Sequence, residues 1–581
     1  VEFVWQSDDS APLSAICPVC ADPGPHRPIV VIPHSGPKQA DWTIVQCPSC
    51  ASRFSTDREG ADYTPGALPG GALLEFYVEQ GAGLRPMLEP LGWADVSPGR
   101  RMLEIGGGFG FTSDFVQVAL GWKARGYDPS GLAALGRDYL GLDIVLDYWT
   151  DDTPLAEPYD VAYASEVVEH IPEPAGFLVS IRRAVGTAGV VVLTTPNGAA
   201  LHPSTSPALL APIASPGQHL TLFSAQGLEQ ALRAAGFQQV RVEERGATLH
   251  AFASDGNLPA PRPLSDALYR DYLHRRIATP GLAPALLSGL RYRLYKEMVN
   301  AGQAADALAL FASLAEDVAT RFGIDITDPT ALRPPVPSDD VQQWLARYPG
   351  NLTGLLYYRA ILANNSEGDP GAAALYTAVA ALAGAHMRRV LQNVGMEDGE
   401  TEVLTSAAVH LHLLALVCAG ADSAPLLSAV TQGTPERGLM IPVSDRRHMR
   451  RGLRRDLRAM DHPDSLWRTA RVDVQGDELD LLAAILGQRP AAVRIEAWDR
   501  ISEAPDSAAT MEAFRAIWTL PDADQAPTSL RHARKLTLIR LVLLGAFHDA
   551  DALFDAWDQA ELAADSCVET ALGILAGADL R

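Results

Sequence analysis

The sequence predicts an α/β fold, a doubly wound parallel sheet preceded by a small cysteine-rich ribbon and followed by a large all-α region. Three observations carry this. A strand, a glycine-rich turn and a helix follow one another from Arg101 to Leu120, and strands alternate with helices from there to Asn197. Two Cys-x-x-Cys pairs stand near the start of the chain, and beyond Pro263 the sequence becomes rich in Ala and Leu at helical spacing.

The chain has 581 residues, 47% of them apolar and 20% charged, which suits several globular domains. Its net charge of -23 argues against a nucleic-acid or anionic-membrane binder, because phosphate attraction needs a basic face. The longest apolar stretch, Ala407 to Ala419, is short for a membrane span and carries His410 and His412. Val1-Glu-Phe-Val-Trp-Gln lacks the basic and apolar regions of a secretory leader, so a cytoplasmic setting is expected. Cysteine usage agrees. Four of the six cysteines sit in the two pairs, while Cys418 and Cys567 lie in apolar helical contexts.

The expected ribbon covers 1–62. Cys17-Pro-Val-Cys20 and Cys47-Pro-Ser-Cys50 are tight turns that each aim two thiolates at one point, and four thiolates favour tetrahedral Zn²⁺. A reduced, metal-free pair of turns or a redox couple is the alternative. A site closed by four cysteines leaves no open position, so the zinc is expected to be structural. Pro28 to Pro33 and Trp42 to Gln46 read as the ribbon's strands, with His26 and His34 as spare, solvent-exposed neighbours. A linker and a covering helix follow over 63–96, with helical spacing from Ala72 to Leu91 that includes Tyr77 and Gln80.

The sheet domain is expected over 97–256. Arg101 to Ile105 supplies the first strand, with Glu104 near its end. Gly106, Gly107, Gly108 and Gly110 then form a turn that lets a ligand approach the main chain, and Phe111 to Leu120 forms the helix. A dinucleotide fingerprint needs glycine at the first, third and sixth positions, and the sixth from Gly106 is Phe111. Asp128, before Pro129, ends the second strand near the roughly 20-residue spacing of a ribose-binding acid. Leu142 to Asp147 reads as the third strand and Tyr159 to Ser165 as the fourth, followed by Glu166-Val-Val-Glu-His-Ile-Pro172. A helix from Pro174 to Val185, a turn at Gly186 to Gly189 and a strand from Val190 to Asn197 come next. Gly236 to Glu244 and Thr248 to Ser254 supply an antiparallel pair.

The Glu-x-Gly-x-Gly-x-Gly turn and the Val-x-Glu-His-Ile segment resemble class I S-adenosylmethionine-dependent methyltransferases, over roughly residues 72 to 255. The resemblance implies a Rossmann-like, seven-stranded methyltransferase sheet with S-adenosyl-L-methionine as cofactor. The residues it places against that cofactor are Glu104, Gly106, Gly108, Gly110, Asp128, Pro129, Asp147, Tyr148 and Glu166, with Tyr148 or Trp149 placed to pack on the adenine. It implies methyl transfer to a nucleophile, in which an oxygen acceptor benefits from a base. His170, after the fourth strand, and His219, in Gln218-His-Leu-Thr-Leu-Phe-Ser224, are the catalytic candidates. The alternatives are that His170 braces the loop beneath the cofactor and that His219 bonds a neighbouring backbone group. Gly198 to Gly217, rich in Pro, Ser and Ala, is expected to be a long loop where a substrate lid would lie. Zinc ribbons also stand at the front of some bacterial methyltransferases, including sugar C-methyltransferases.

The α-helical region over 264–581 shows weak self-similarity. Leu294 to Leu314, Leu355 to Leu382, Leu411 to Val430 and Leu536 to Trp557 read as paired helices like tetratricopeptide repeats, with an irregular helical domain as the alternative. Such arrays bind protein partners or self-associate. The basic run Arg446 to Arg458 fits a phosphate-bearing or acidic partner, or a solvated helix face. The sequence therefore supports methyl transfer to a small-molecule or glycan acceptor, at oxygen. C-methylation of a nucleotide-sugar, or a non-catalytic scaffold built on the helical half, are the competing readings.

Overall fold

A computed structural model of the chain describes residues 2–418, apart from 8–9, 36–39, 65–71, 81–83, 95, 206, 395 and 397, together with 506–518 and the single positions 537, 541, 546 and 549. It divides into two compact units, Val1–Ala408 and Val409–Arg581. The basic run Arg446 to Arg458 and the helical pair expected near Leu536 to Trp557 lie outside the described residues, as does most of the pair expected over Leu411 to Val430.

The first unit opens with β1 (Val4–Trp5), β2 (Arg27–Ser35), β3 (Ala40–Gln46) and β4 (Arg53–Ser55). These antiparallel strands are the ribbon. Two short helices, α1 (Ala72–Gln80) and α2 (Leu84–Leu88), lead into the α/β domain. There β5 (Arg101–Ile105), α3 (Phe111–Leu120), β6 (Lys123–Tyr127), α4 (Gly131–Leu140), β7 (Ile144–Val145), β8 (Tyr159–Ser165), α5 (Pro174–Ala184) and β9 (Val185–Pro196) alternate. Next come α6 (Pro207–Ala214), β10 (Thr221–Leu222), α7 (Ala225–Ala234), β11 (Gln239–Arg245) and β12 (Thr248–Ser254). The main sheet has seven strands in the order β11-β12-β9-β8-β5-β6-β7. From β9 to β7 the pairs are parallel, and β12 joins antiparallel to both β9 and β11. The order reverses between β5 and β8, and an open α/β sheet binds its ligands outside the strand ends at such a switch point.

Three local expectations are corrected. The turn expected at Gly186 to Gly189 is strand, because β9 runs unbroken from Val185 and absorbs it through an irregular register against β8. The third strand is only two residues long. The Pro-rich stretch after Gly198 is no free lid, since it forms a short turn and then α6. Leu210, Ile213 and Ala214 of α6 pack with Leu201 against Ile29, Val30, Ile32, Trp42 and Ile44 of the ribbon. Burying such aliphatic side chains stabilises by about 1.5–3 kcal/mol each. The strand β10 then pairs antiparallel with β4, Thr221 opposite Phe54 and Leu222 opposite Arg53, and completes the ribbon's sheet.

Among the described residues the helices after the sheet are α8 (Asp266–Ile277), α9 (Pro284–Asn300), α10 (Ala304–Phe322), α11 (Val341–Leu345), α12 (Leu352–Asn365), α13 (Pro370–Asn393), α14 (Gly399–Cys418) and, within the second unit, α15 (Ser507–Trp518). Helix α1 lies among them. Leu73 and Phe76 enter a core with Val341, Trp344, Met387, Val390 and Leu391. Gly289 of α9 approaches so closely that a Cβ there would lie 2.3 Å from the Val78 carbonyl oxygen. Helix α8 is tied to α3 by the Tyr272 hydroxyl, which donates to Asp114 Oδ2 at 2.8 Å, and by Arg276 Nε, 3.0 Å from the same oxygen. No helix among the described residues is long and apolar enough to cross a membrane.

Candidate active site

The glycine turn sits at the carboxyl end of β5. Gly106 has φ 65°, and a Cβ there would meet Val167 Cγ2 at 2.5 Å, so both conformation and space demand glycine. A Cβ on Gly107 would lie 2.5 Å from the Glu104 carboxyl carbon. That carboxyl group is buried and folds back under the turn. Its Oε2 accepts from the backbone N–H of Ser113 at 3.1 Å and from the Ser113 hydroxyl. Glu104 thus caps the first turn of α3, where backbone N–H groups lack helical partners. Burial pushes its pKa up to about 7 against these hydrogen bonds.

Asp128 follows β6 directly. Its Oδ2 accepts from the Gly108 N–H at 2.8 Å and its Oδ1 from the Ser130 N–H at 2.8 Å. Two acceptor positions remain for a ligand. Gly110 caps the start of α3 in the left-handed conformation, with φ 81°. Helix α1 covers this region with one face. Leu74 lies against the start of α4 at Gly131, and Tyr77, one turn on, is influenced by the charges of Glu104 and Asp128. Gln80 faces the other way and donates to Asp398 and Thr401.

Asp147 and Tyr148 are exposed beyond β7, Asp147 Oδ1 accepting from the Tyr148 N–H at 2.8 Å. Trp149 is not available to pack on a ring. It is buried in the sheet's core, donates to Ser180 Oγ at 3.1 Å and packs edge-on against Tyr127.

A second cluster of polar side chains is built at the ends of β8 and β9. Glu166 has φ 55°, a left-handed conformation that non-glycine residues adopt at a cost and that clusters at functional sites. Neighbouring strand residues point to opposite faces, so Thr194 and Thr195 hold two different carboxyl groups. Thr194 Oγ1 donates to Glu166 Oε1 and Thr195 Oγ1 to Glu169 Oε2, both at 2.9 Å. Desolvation pushes both carboxyl pKa values up, and at fully buried Glu169 the charge of Glu166 adds to the rise. His170 and His219 meet edge to face with centroids 4.7 Å apart. One ring nitrogen of each and an oxygen of Glu169 lie within 4.8 Å of one another. His219 Nδ1 is 2.8 Å from the Ile213 carbonyl oxygen, which can only accept, so Nδ1 carries the proton and Nε2 keeps its lone pair. Burial lowers the pKa of His170 to about 4 and of His219 to about 3, keeping both neutral near pH 7. His219 makes the backbone bond raised as the alternative and still leaves Nε2 open.

The ribbon reaches this side. Arg53 Nη1 donates to the Gly198 carbonyl at 2.7 Å, and Arg58 donates to the carbonyls of Leu220 at 2.5 Å and Pro172 at 2.6 Å. Ser224 Oγ, at the start of α7, donates to the Cys50 carbonyl at 2.5 Å. Cys17 Sγ lies 3.7 Å from Cys50 Sγ and Cys20 Sγ 3.5 Å from Cys47 Sγ. Four sulfurs about 2.3 Å from a common tetrahedral centre would be roughly 3.8 Å apart, so the four thiols suit Zn²⁺. His26 is a correction: it is buried against Phe54, not exposed, and among the described residues the metal-capable group of the ribbon consists of the four cysteines without it.

Sequence reasoning singled out the glycines, Asp128, Glu166 and both histidines, but it passed over Glu169, Tyr63 and the two ribbon arginines. Glu169 had a signal, standing next to His170 in Glu166-Val-Val-Glu-His170. Tyr63 and the arginines had none, because only docking of the ribbon brings them near.

A family model described as a methyltransferase domain matches residues 83–242. This segment is a class I S-adenosylmethionine-dependent methyltransferase domain, and the seven-stranded sheet is that fold. A ubiquinone biosynthesis O-methyltransferase of Burkholderia vietnamiensis is 34% identical over 117 residues, 18% of this chain and 50% of that protein. The chain thus matches half the length of this curated relative. Among solved structures, a SAM-dependent methyltransferase from Aquifex aeolicus is 19% identical over 32% of this chain and 98% of its own, with a TM-score of 0.26. A phosphoethanolamine N-methyltransferase of Haemonchus contortus, in complex with S-adenosyl-L-methionine, is 19% identical over 30% of this chain and 42% of its own, with a TM-score of 0.25.

Proposed function

We propose that the chain transfers a methyl group from S-adenosylmethionine to an oxygen of a small-molecule or glycan acceptor. The observation that carries the donor half is the lock between Asp128 and the Gly108 N–H, which presents a carboxylate with free lone pairs beside a turn that a Cβ would fill. In this reading Asp128 holds the ribose hydroxyls, Gly106, Gly108 and Gly110 let the donor approach the main chain, and Pro129, Asp147 and Tyr148 border the adenine. Glu104 acts from beneath, by fixing the turn. Glu166 stands between donor and acceptor.

The donor supplies an already activated methyl group. The chain's own task is to align the acceptor, exclude water and take a proton. His219 Nε2 is the open proton acceptor, and burial makes a lasting imidazolium unfavourable, so His219 is suited to pass a proton on rather than to store it. Transfer to oxygen is favoured by the name of the Burkholderia relative. The four cysteines hold a structural zinc that keeps the ribbon against the acceptor-side loops, and the helical half is the surface for a protein partner or a second copy.

The test is product analysis. The purified chain, supplied with a methyl-labelled donor, is offered a panel of phenols, quinols and nucleotide-sugars. Label in a methyl ether supports the reading. Label on a sugar ring carbon would replace it with C-methylation, the alternative that the ribbon favours. Failure to bind the donor would remove both.

A further inference from the structure

Tyr63 lies just beyond the ribbon and is half-buried. Its hydroxyl oxygen is 2.8 Å from His170 Nδ1, and the two rings meet edge-on with centroids 5.5 Å apart. Its backbone N–H donates to the Tyr148 hydroxyl at 3.3 Å. The same His170 nitrogen is 3.1 Å from the Gln218 carbonyl oxygen. These two partners pull in opposite directions. A carbonyl can only accept, and so favours a proton on Nδ1. A phenol hydroxyl can donate, and so favours a lone pair there. The hydroxyl is the nearer of the two, and burial beside Glu169 raises its pKa, so it keeps its proton.

We propose that Tyr63 is a positioning residue for His170, donating its hydroxyl proton to Nδ1 and holding the imidazole as the Nε2–H tautomer. The inference rests on the reading that His170 and His219 face the methyl acceptor. Its consequence is a complementary pair. His170 Nε2 lies 3.8 Å from Glu169 Oε1, an oxygen with no hydrogen-bond partner among the described residues. His219 is held by the Ile213 carbonyl as the opposite tautomer, with a lone pair on Nε2. One ring then offers a donor and its neighbour an acceptor. A hydroxyl arriving between them is oriented by the first and gives its proton to the second. The linker that follows the ribbon, through Tyr63, decides the state of a group that the methyltransferase domain supplies.

Tautomers are read directly by long-range proton–nitrogen NMR of the full-length, zinc-loaded chain with ¹⁵N-labelled histidine and saturating S-adenosylhomocysteine. The His170 signals are assigned by their loss in His170→Gln. The expected result is an Nε2–H pattern in the unaltered chain and a shift to Nδ1–H in Tyr63→Phe, where only the Gln218 carbonyl remains. S-adenosylhomocysteine affinity should stay within about twofold, because the Tyr63 hydroxyl bonds His170 and none of the cofactor-side residues, and the backbone N–H that meets Tyr148 is unchanged by the substitution. An Nδ1–H pattern in the unaltered chain overturns the proposal whether or not the variant folds, and so does the same tautomer in both chains. Absence of S-adenosylhomocysteine binding would sink the reading of the whole site, and it is distinguished from those outcomes by the titration alone.

Discussion

Asp128 already accepts from two backbone N–H groups, so its charge organises the turn before any ligand arrives. Hydrogen bonds to charged groups contribute about 1.5–3 kcal/mol, so Asp128→Asn should weaken S-adenosylmethionine binding by about 10- to 100-fold in a chain that still folds. Unchanged affinity would remove Asp128 from the site. The histidines give a pH dependence whose sign follows from their lowered pKa values. In the unfolded chain they protonate near their ordinary value, while folded His170 and His219 stay neutral down to about 4 and about 3. Between those limits the unfolded state binds more protons, so this contribution to stability rises with pH and is lost on acidification below about 6.5. At pH 5 each histidine should cost about 2 kcal/mol. Urea denaturation of His219→Asn should therefore show a smaller stability loss between pH 7 and pH 5 than the unaltered chain, and equal losses would contradict the burial. At this scale the sequence was most legible where a residue's role is local. Glycines at a turn and an acid at a strand end announce themselves. The contact of Tyr63 with His170 joins residues from two modules, and no spacing rule reaches that far.

Among the elements, the ribbon is the one whose meaning changed most between sequence and structure. Its cysteine turns and the strands β2 and β3 were plain from the Cys-Pro-x-Cys repeats and the apolar runs between them. Its fifth strand was not. β10 is two residues long and lies in the methyltransferase segment, too short for any periodicity to show. α6 was hidden as well, because Pro207 and Pro212 suggest a loop, although Leu210 and Ile213 lie on one helical face. Since β4 and β10 share a sheet, losing the metal should be felt on the acceptor side. Metal analysis should find about one zinc per chain, and stripping it with a chelator should lower the melting temperature. A folded, metal-free chain with an unchanged melting temperature would contradict the zinc assignment.

At the scale of the molecule, helix α1 joins the catalytic and helical parts of the first unit. Leu74 lies against the start of α4, while Leu73, Phe76 and Gln80 face the helices that follow the sheet. The apolar spacing of Ala72 to Leu91 showed a helix. It could not show that both faces are covered, because the residues covering the second face lie more than two hundred positions away. The doubly wound sheet itself was legible nearly strand for strand, since alternation of strand and helix is a local pattern repeated along the chain. Among the described residues the helical region was legible as helices but not in its arrangement, since Ala/Leu-rich spacing fits many packings. The central claim is that this assembly encloses an S-adenosylmethionine site. It is tested most directly by calorimetric titration of the purified full-length chain with S-adenosylmethionine and S-adenosylhomocysteine. The account predicts binding of both at about micromolar strength or tighter. No binding, in protein shown to be folded and free of co-purified cofactor, would contradict it and leave the helical half as the seat of function.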